Sequence, residues 1–221
     1  TRIFRLVLYV FLTALVLVYS IPAFGVIITS FKTNREISRQ GLWSAPDKIQ
    51  FDNYHKAWVE GNVRTYAKNS FLVTIPATIA SILFGVLTGY TISKLPFRGS
   101  QALFVFIVAG MFYPPQIVLI PLFRLFNEIK LYDTLWPMII VHTAFGLPIC
   151  TLLMRNFFIT VPTPLREAAI IDGANEGQIL LRVMLPLSIP ALAVLATLQF
   201  TWIWNDFLWP SLMMHTRGRM T

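Results

Sequence analysis

Charge is what this sequence has least of. Only 13% of its 221 residues are Asp, Glu, Lys or Arg, where a soluble domain carries about 25%. That shortage excludes an ordinary water-soluble enzyme domain. Cysteine is nearly missing as well. Cys150 stands alone inside an apolar run, so neither a disulfide framework nor a cysteine metal site can be built. His55, His142 and His215 add no metal-ligand spacing to it, and no metal site is expected. A G-x-x-x-x-G-K-[ST] phosphate loop is absent, so nucleotide hydrolysis is not expected of this chain. What is plentiful is apolar: 56% of residues are hydrophobic and the mean hydropathy is +0.65. Eighteen Phe, six Trp and seven Tyr demand burial and exclude a disordered segment. The net charge of +8 would suggest nucleic acid on a soluble chain. Here the charges lie thinly between long apolar stretches, which points to membrane surfaces and lipid, and to no nucleic-acid partner.

The placement of charge decides the class. Five windows hold no charged residue: Leu6–Phe31, Asn69–Ser93, Gly99–Phe123, Thr134–Met154 and Val183–Asn205. A helix needs about 20 such residues to cross a hydrocarbon layer roughly 30 Å thick. Each window is long enough, and none shows the short alternating pattern of a barrel strand. The expected fold is an all-α integral membrane bundle, one transmembrane domain over residues 1–221. Its spans are near 6–31, 69–93, 99–123, 134–154 and 183–205. The first window is too long for a signal peptide and is taken as a retained span. The run Phe207–Met214 is too short to cross.

Proline and small residues interrupt the spans. Pro114-Pro115, followed by Gln116, predicts a break near the middle of the third span. Ala77, Ala80, Ser81, Gly85 and Gly89 predict close helix contact along the second. Trp202, Trp204 and Trp209 cluster where the fifth span should reach an interface. Trp43, Tyr54 and Trp58 suggest that the first loop folds into a cap. Charge counting gives no clean orientation. The first, third and last connections hold eleven Lys and Arg, seven of them in the first loop; the segments on the opposite side hold seven. Taken plainly, that count puts the first loop in the cytoplasm.

The fourth loop, residues 155–182, reads RNFFITVPTPLREAAIIDGANEGQILLR. Thr163-Pro164 predicts a helix start with a capping hydroxyl. Gly173 and Asn175 predict its end, and a second helical run from Glu176 leads toward Leu185-Pro186. The short helix would lie crosswise between two spans. Ala168 and Ala169 on its surface would let another backbone approach closely, with Arg166, Glu167 and Asp172 beside them. A helix resting on lipid is the alternative. The loop's equal acid and base content favours a protein partner, because lipid-resting helices carry a basic polar face.

Glu167-Ala168-Ala169, then Gly173, then Val183-Met184-Leu185-Pro186 resembles the EAA loop of ABC importer membrane subunits, with Val183 where isoleucine is usual. The runs Arg155-Asn156-Phe157-Phe158 and Trp204-Asn205-Asp206-Phe207-Leu208-Trp209-Pro210 are similar to carbohydrate importer permeases of the maltose-permease type. The resemblance covers essentially the whole chain. It implies a type I permease bundle in a bacterial or archaeal inner or plasma membrane, with a sixth span beyond Thr221. It also implies a second permease subunit, an extracytoplasmic solute-binding protein, and two ATPase subunits that carry the ATP and Mg. Arg166, Glu167, Ala168, Ala169, Asp172, Gly173, Leu185 and Pro186 would form the ATPase-coupling element. The loop would then be cytoplasmic and the first loop outside, against the raw charge count.

Gln116, His142, Gln199 and Asn205 are the candidate solute-path residues. His142 within a span serves either the path or an interhelix hydrogen bond. The solute expected is a sugar or oligosaccharide; a polyol or phosphorylated polyol fits the same loop. A non-transporting scaffold and a membrane enzyme are the other classes, and the enzyme would have only His142 and Cys150 at membrane depth.

Overall fold

The computed structural model describes residues 2–215. Arg217 and Arg219, counted above in the last connecting segment, lie outside the described residues. The chain divides into two compact units that part at Arg64.

In the first unit, α1 (Arg2–Ser30) is a continuous apolar helix in which Gly25 is the one buried residue. Helices apolar all round belong in lipid or against a partner. Its polar side chains cost little there, because they bond their own helix: Ser20 Oγ donates to Val16 O and Thr29 Oγ1 to Gly25 O, each at 2.7 Å. The carbonyls freed at its C-terminus are claimed by the following loop. Asn53 Nδ2 donates to Ser30 O and Lys32 O at 3.0 and 2.8 Å, and Gln50 N to Phe31 O at 3.0 Å.

The expected cap is present. α2 (Asn34–Gln40) opens with a capping box in which Glu36 N donates to Thr33 Oγ1 and Thr33 N donates back to Glu36 Oε2. The Thr33 hydroxyl, then the Thr33 and Asp47 amides, hold the Glu36 carboxyl below its ordinary range. α3 (Asp52–Val59) follows, and Phe31 contacts both Phe51 and Tyr54 with ring centroids 5.6 Å apart. At the centre lies Lys32, 2% exposed, its ammonium donating to Gly41 O, Leu42 O and Ser44 Oγ at 3.1, 3.2 and 2.8 Å. Three donors meet three acceptors, which is what a buried ammonium requires. Lys32→Ala strands those acceptors and is expected to cost about 1–3 kcal/mol. Limited proteolysis at Gly41–Ser44 should quicken while the spans stay intact.

The second unit takes in all but the first two residues of α4 (Val63–Lys94), a 32-residue helix. Ala77, Ser81, Gly85 and Gly89 recur every fourth residue, so they share one face, and all four are buried. α5 (Ser100–Ala109) continues through a 3-10 turn at Gly110–Phe112 and stops at the double proline. Tyr113 and Pro114, each preceding a proline, are driven into extended backbone with ψ of 115° and 124°. α6 (Pro115–Glu128) leaves at 94° to α5, so the predicted break is a sharp turn. α7 (Trp136–Thr160) is the central helix, with ten buried residues. It packs on the small-residue face of α4 almost backbone to backbone. A Cβ on Gly85 would lie 2.3 Å from Cys150 Cβ, and one on Gly89 would lie 2.8 Å from Arg155 N. Helices in lipid gain from such contacts through van der Waals packing.

α8 (Thr163–Ile171) and α9 (Glu176–Ile179) follow, then a π segment at Leu180–Met184 and the short α10 (Leu185–Leu187). The window Val183–Asn205 was expected to be one span. Within that window the chain bends by 78° at Ser188 before α11 (Ile189–Trp204), so a span there is a bent pair of helices. Pro186 and Pro190 withhold two ladder donors around Ser188. The buried Ser188 hydroxyl turns back to Met184 O at 2.5 Å. α12 (Leu208–Met213) closes the described chain.

Two apolar cores hold this unit. One joins Val86, Tyr90, Met154 and Phe158 to Ile179, Met184 and Leu195; the other joins Val73, Met138 and Val141 to Ile203, Trp209 and Met213. Among the described residues three single helices are long and apolar enough to cross a membrane, α1, α4 and α7, and the two bent pairs raise the number to five if each pair is one span.

Candidate functional site

Two regions of the second unit carry the candidate residues. The first is the connection from α7 to α10. Val161 and Pro162 are extended, and α8 starts at Thr163 with no side-chain cap bond. The expected Thr163 cap is therefore not made. Thr163 is already a helical residue, and its hydroxyl cannot reach forward to the free amides as a residue in extended backbone does. The C-terminus follows expectation. Ala174 N donates to Ala169 O and Gly173 N to Ile170 O, both at 2.9 Å, with Gly173 at φ +83°. This is a Schellman ending, and the left-handed backbone at Gly173 is its reason for glycine. Asn175 then opens α9 by a capping box with Gln178.

These stops leave α8 as a nine-residue helix with two different faces. Glu167, Ala168, Asp172 and Gly173 are exposed, together with Pro164 and with Ile171 at 85%. Ala169 packs on the first core. Arg166 also turns inward. Its Nη2 pairs with Glu176 Oε1 and its Nε donates to Glu176 Oε2 at 3.3 Å; Tyr90 Oη donates to the same Oε2 at 2.6 Å. The Glu176 carboxylate raises the guanidinium's already high pKa. Of the charged residues expected beside the two alanines, only Glu167 and Asp172 face out. Leu185 is half-buried against the first core, whereas Pro186 is exposed. Two further ties hold α7 and its link to α8. Lys94 Nζ donates to Val161 O at 2.7 Å, and the Arg155 guanidinium lies 4.1 Å from the centre of the Phe104 ring.

The second region lies where α4, α7 and α11 meet. His142 is 6% exposed, and its Nε2 stands 3.4 Å from Asp206 Oδ2. Asp206 also accepts Leu208 N and Trp209 N at 3.1 and 3.3 Å, which secures the first turn of α12. Ser70, Thr74, Trp204 and Pro210 complete a small polar cleft on this side of His142. On its other side, Gly146, Gln199 and Trp202 line a narrower cavity. A Cβ on Gly146 would come within 2.6 Å of Ser81 Oγ and 2.7 Å of Gln199 Oε1, so only glycine leaves that space open. His142 and Gln199 therefore lie together. Gln116 and Asn205 do not join them: both are exposed and line neither cavity, and Asn205 Nδ2 is spent on Thr201 O at 2.8 Å. The sequence reading missed Asp206. Its signal was a carboxylate placed one residue after a charge-free window, in the Trp204–Pro210 run. Among the described residues no cluster of three His, Cys, Asp or Glu could hold a metal ion.

Comparison with known proteins places this architecture. Residues 81–220 match the family model described as "Binding-protein-dependent transport system inner membrane component". The diacetylchitobiose uptake system permease protein of Streptomyces coelicolor is 33% identical over 190 residues, covering 86% of this chain and 63% of that protein. The xylose/arabinose import permease protein of Haloferax volcanii is 33% identical over 208 residues, covering 86% of this chain and 67% of that protein. The chain thus spans about two thirds of their length. Among solved structures, a bacterial ABC transporter involved in the import of the acidic polysaccharide alginate matches with a TM-score of 0.85 and 27% identity, over 99% of this chain and 76% of that one. The fold is that of an ABC importer type I permease, a multi-pass helical membrane protein with no catalytic role of its own. The chain belongs to the family of binding-protein-dependent transport system inner membrane components.

Proposed function

We propose that the chain forms half of the translocation path of an ATP-driven importer for a sugar or oligosaccharide. A second permease subunit completes the path. An extracytoplasmic binding protein delivers the solute, and two ATPase subunits bind ATP and Mg. The observation that carries this reading is α8. It is a short helix whose outer face offers Pro164, Glu167, Ala168 and Ile171 while its inner face is fixed by Arg166 and Ala169. A docking element needs both properties: small and apolar side chains to enter a partner's groove, and rigid attachment so that the partner's motion is passed on.

In this reading α8 faces the cytoplasm and the cap lies outside. The high Lys and Arg count of the first loop votes the other way, because a loop this short falls within the positive-inside rule. The docking element is the more specific signal and takes precedence, and part of that count is already spent. Lys32 is sealed within the cap and Lys56 is paired with Asp52 at 2.7 Å. His142, Gln199 and Asp206 supply hydroxyl-binding groups along the path. The carbohydrate class is supported by the diacetylchitobiose and xylose/arabinose systems of the two relatives and by the alginate importer.

The test is the assembled complex in proteoliposomes, given binding protein loaded with sugars, oligosaccharides or polyols in turn. ATP hydrolysis and solute uptake should rise together for a carbohydrate. Hydrolysis unresponsive to any loaded binding protein would contradict the reading.

A further inference from the structure

Tyr90 belongs to neither candidate region, yet it touches both the coupling element and the helix that reaches the polar clefts. Its side chain is 3% exposed, and its ring meets Phe158 of α7 edge-on at 5.6 Å. Its hydroxyl donates to Glu176 Oε2 at 2.6 Å. Glu176 is the first residue of α9, where a carboxylate is favoured by the helix dipole. The same carboxylate takes Arg166 of α8 on both oxygens. One acid thus joins three helices.

We propose that Tyr90 and Glu176 are positioning residues, a brace that carries displacement of α8 into α4. This rests on the reading of α8 as the docking element. α8 itself otherwise meets the first core through Ala169, an apolar contact, while Lys94 of α4 holds the link just before α8 by donating to Val161 O at 2.7 Å. Apolar contact is non-directional and permits slip, whereas a charge-assisted hydrogen bond fixes both distance and direction. Beyond the brace the path is stiff. Gly89 sets α4 against the backbone of Arg155, and Gly85 sets it against Cys150. Further along the same helix, Ser81 Oγ, which donates to Ala77 O at 2.6 Å, lies 3.4 Å from His142 O, and Thr74 lines the cleft with His142 and Asp206. Motion given to Tyr90 arrives at the polar clefts with α4 and α7 moving as one body.

The experiment uses the complete complex with loaded binding protein and compares wild type with Tyr90→Phe, Glu176→Gln and the double variant. The readout is solute imported per ATP hydrolysed, alongside melting temperature and basal hydrolysis. Tyr90→Phe keeps the ring and removes only the hydroxyl. Each single variant should lower the transport ratio by about threefold to tenfold, the scale of effect along coupled networks, with assembly and melting temperature retained. The double variant should fall no further than the singles, because both break one network. A wild-type ratio in Tyr90→Phe would overturn the brace, as would a loss that merely tracks lost folded protein. Glu167→Lys is run in parallel. If it is uncoupled while Tyr90→Phe is normal, the brace alone falls. If Glu167→Lys itself imports normally, the docking reading beneath the brace falls with it.

Discussion

Gly85→Leu should abolish the folded permease, and Gly85→Ala alone should weaken it measurably. The first added atom already decides this. A Cβ at position 85 would sit 2.3 Å from Cys150 Cβ and 2.8 Å from the Cys150 carbonyl carbon. Neither is the far end of a flexible side chain, so α4 and α7 would have to part. Overpacking of this kind costs about 1–3 kcal/mol for small additions and more where backbone must move. Separation would also pull Ser81 from Gly146 and disturb the clefts beside His142. Gly110→Ala is the matched control, because its Cβ would meet only Pro148 Cγ at an ordinary 3.4 Å. Thermal unfolding in detergent should show Gly85→Ala melting well below wild type and Gly110→Ala close to it. Equal melting of the two would mean that α4 and α7 are not packed as described.

The second large effect is functional and leaves stability alone. Ala168→Trp or Glu167→Lys on the outer face of α8 should cut hydrolysis stimulated by loaded binding protein at least tenfold, since about 1.4 kcal/mol of lost coupling suffices for that factor. Both side chains are exposed, and exposed substitutions normally move stability by no more than about 0.5 kcal/mol. The melting temperature should therefore hold. The two classes of helix separate here. A helix that only rests on lipid would accept Trp readily and would gain from an added lysine near anionic headgroups. One that enters a protein groove would be blocked by the ring and repelled or unpaired by the reversed charge.

Much of this was readable from residue order because lipid simplifies the problem. A span must be free of charge for about 20 residues, so the missing charges marked α1, α4 and α7 directly. Pro114-Pro115 acts through local sterics, and its break appeared where the sequence put it. The repeat from Ala77 to Gly89 and the stop at Gly173 are likewise local rules, and both appeared. What escaped depends on neighbours distant in sequence. Pro186 and Pro190 pointed to a kink around Ser188, but the size of the bend, 78°, is not legible in a charge-free window. Arg166 was placed outward with Glu167, since no rule internal to α8 says that Glu176 and Tyr90 wait on its other side. Asp206 stood out only as part of the Trp204–Pro210 run, although its carboxylate reaches His142 on a helix more than 60 residues earlier.

The most direct measurement is thiol labelling at Ala168→Cys with a membrane-impermeant reagent, in sealed vesicles of each orientation, with and without the ATPase subunits. The native Cys150 is fully buried and serves as a silent background. The account predicts labelling only from the cytoplasmic side and protection once the ATPase subunits bind. Labelling from the outer side, or undiminished labelling in the full complex, would contradict it.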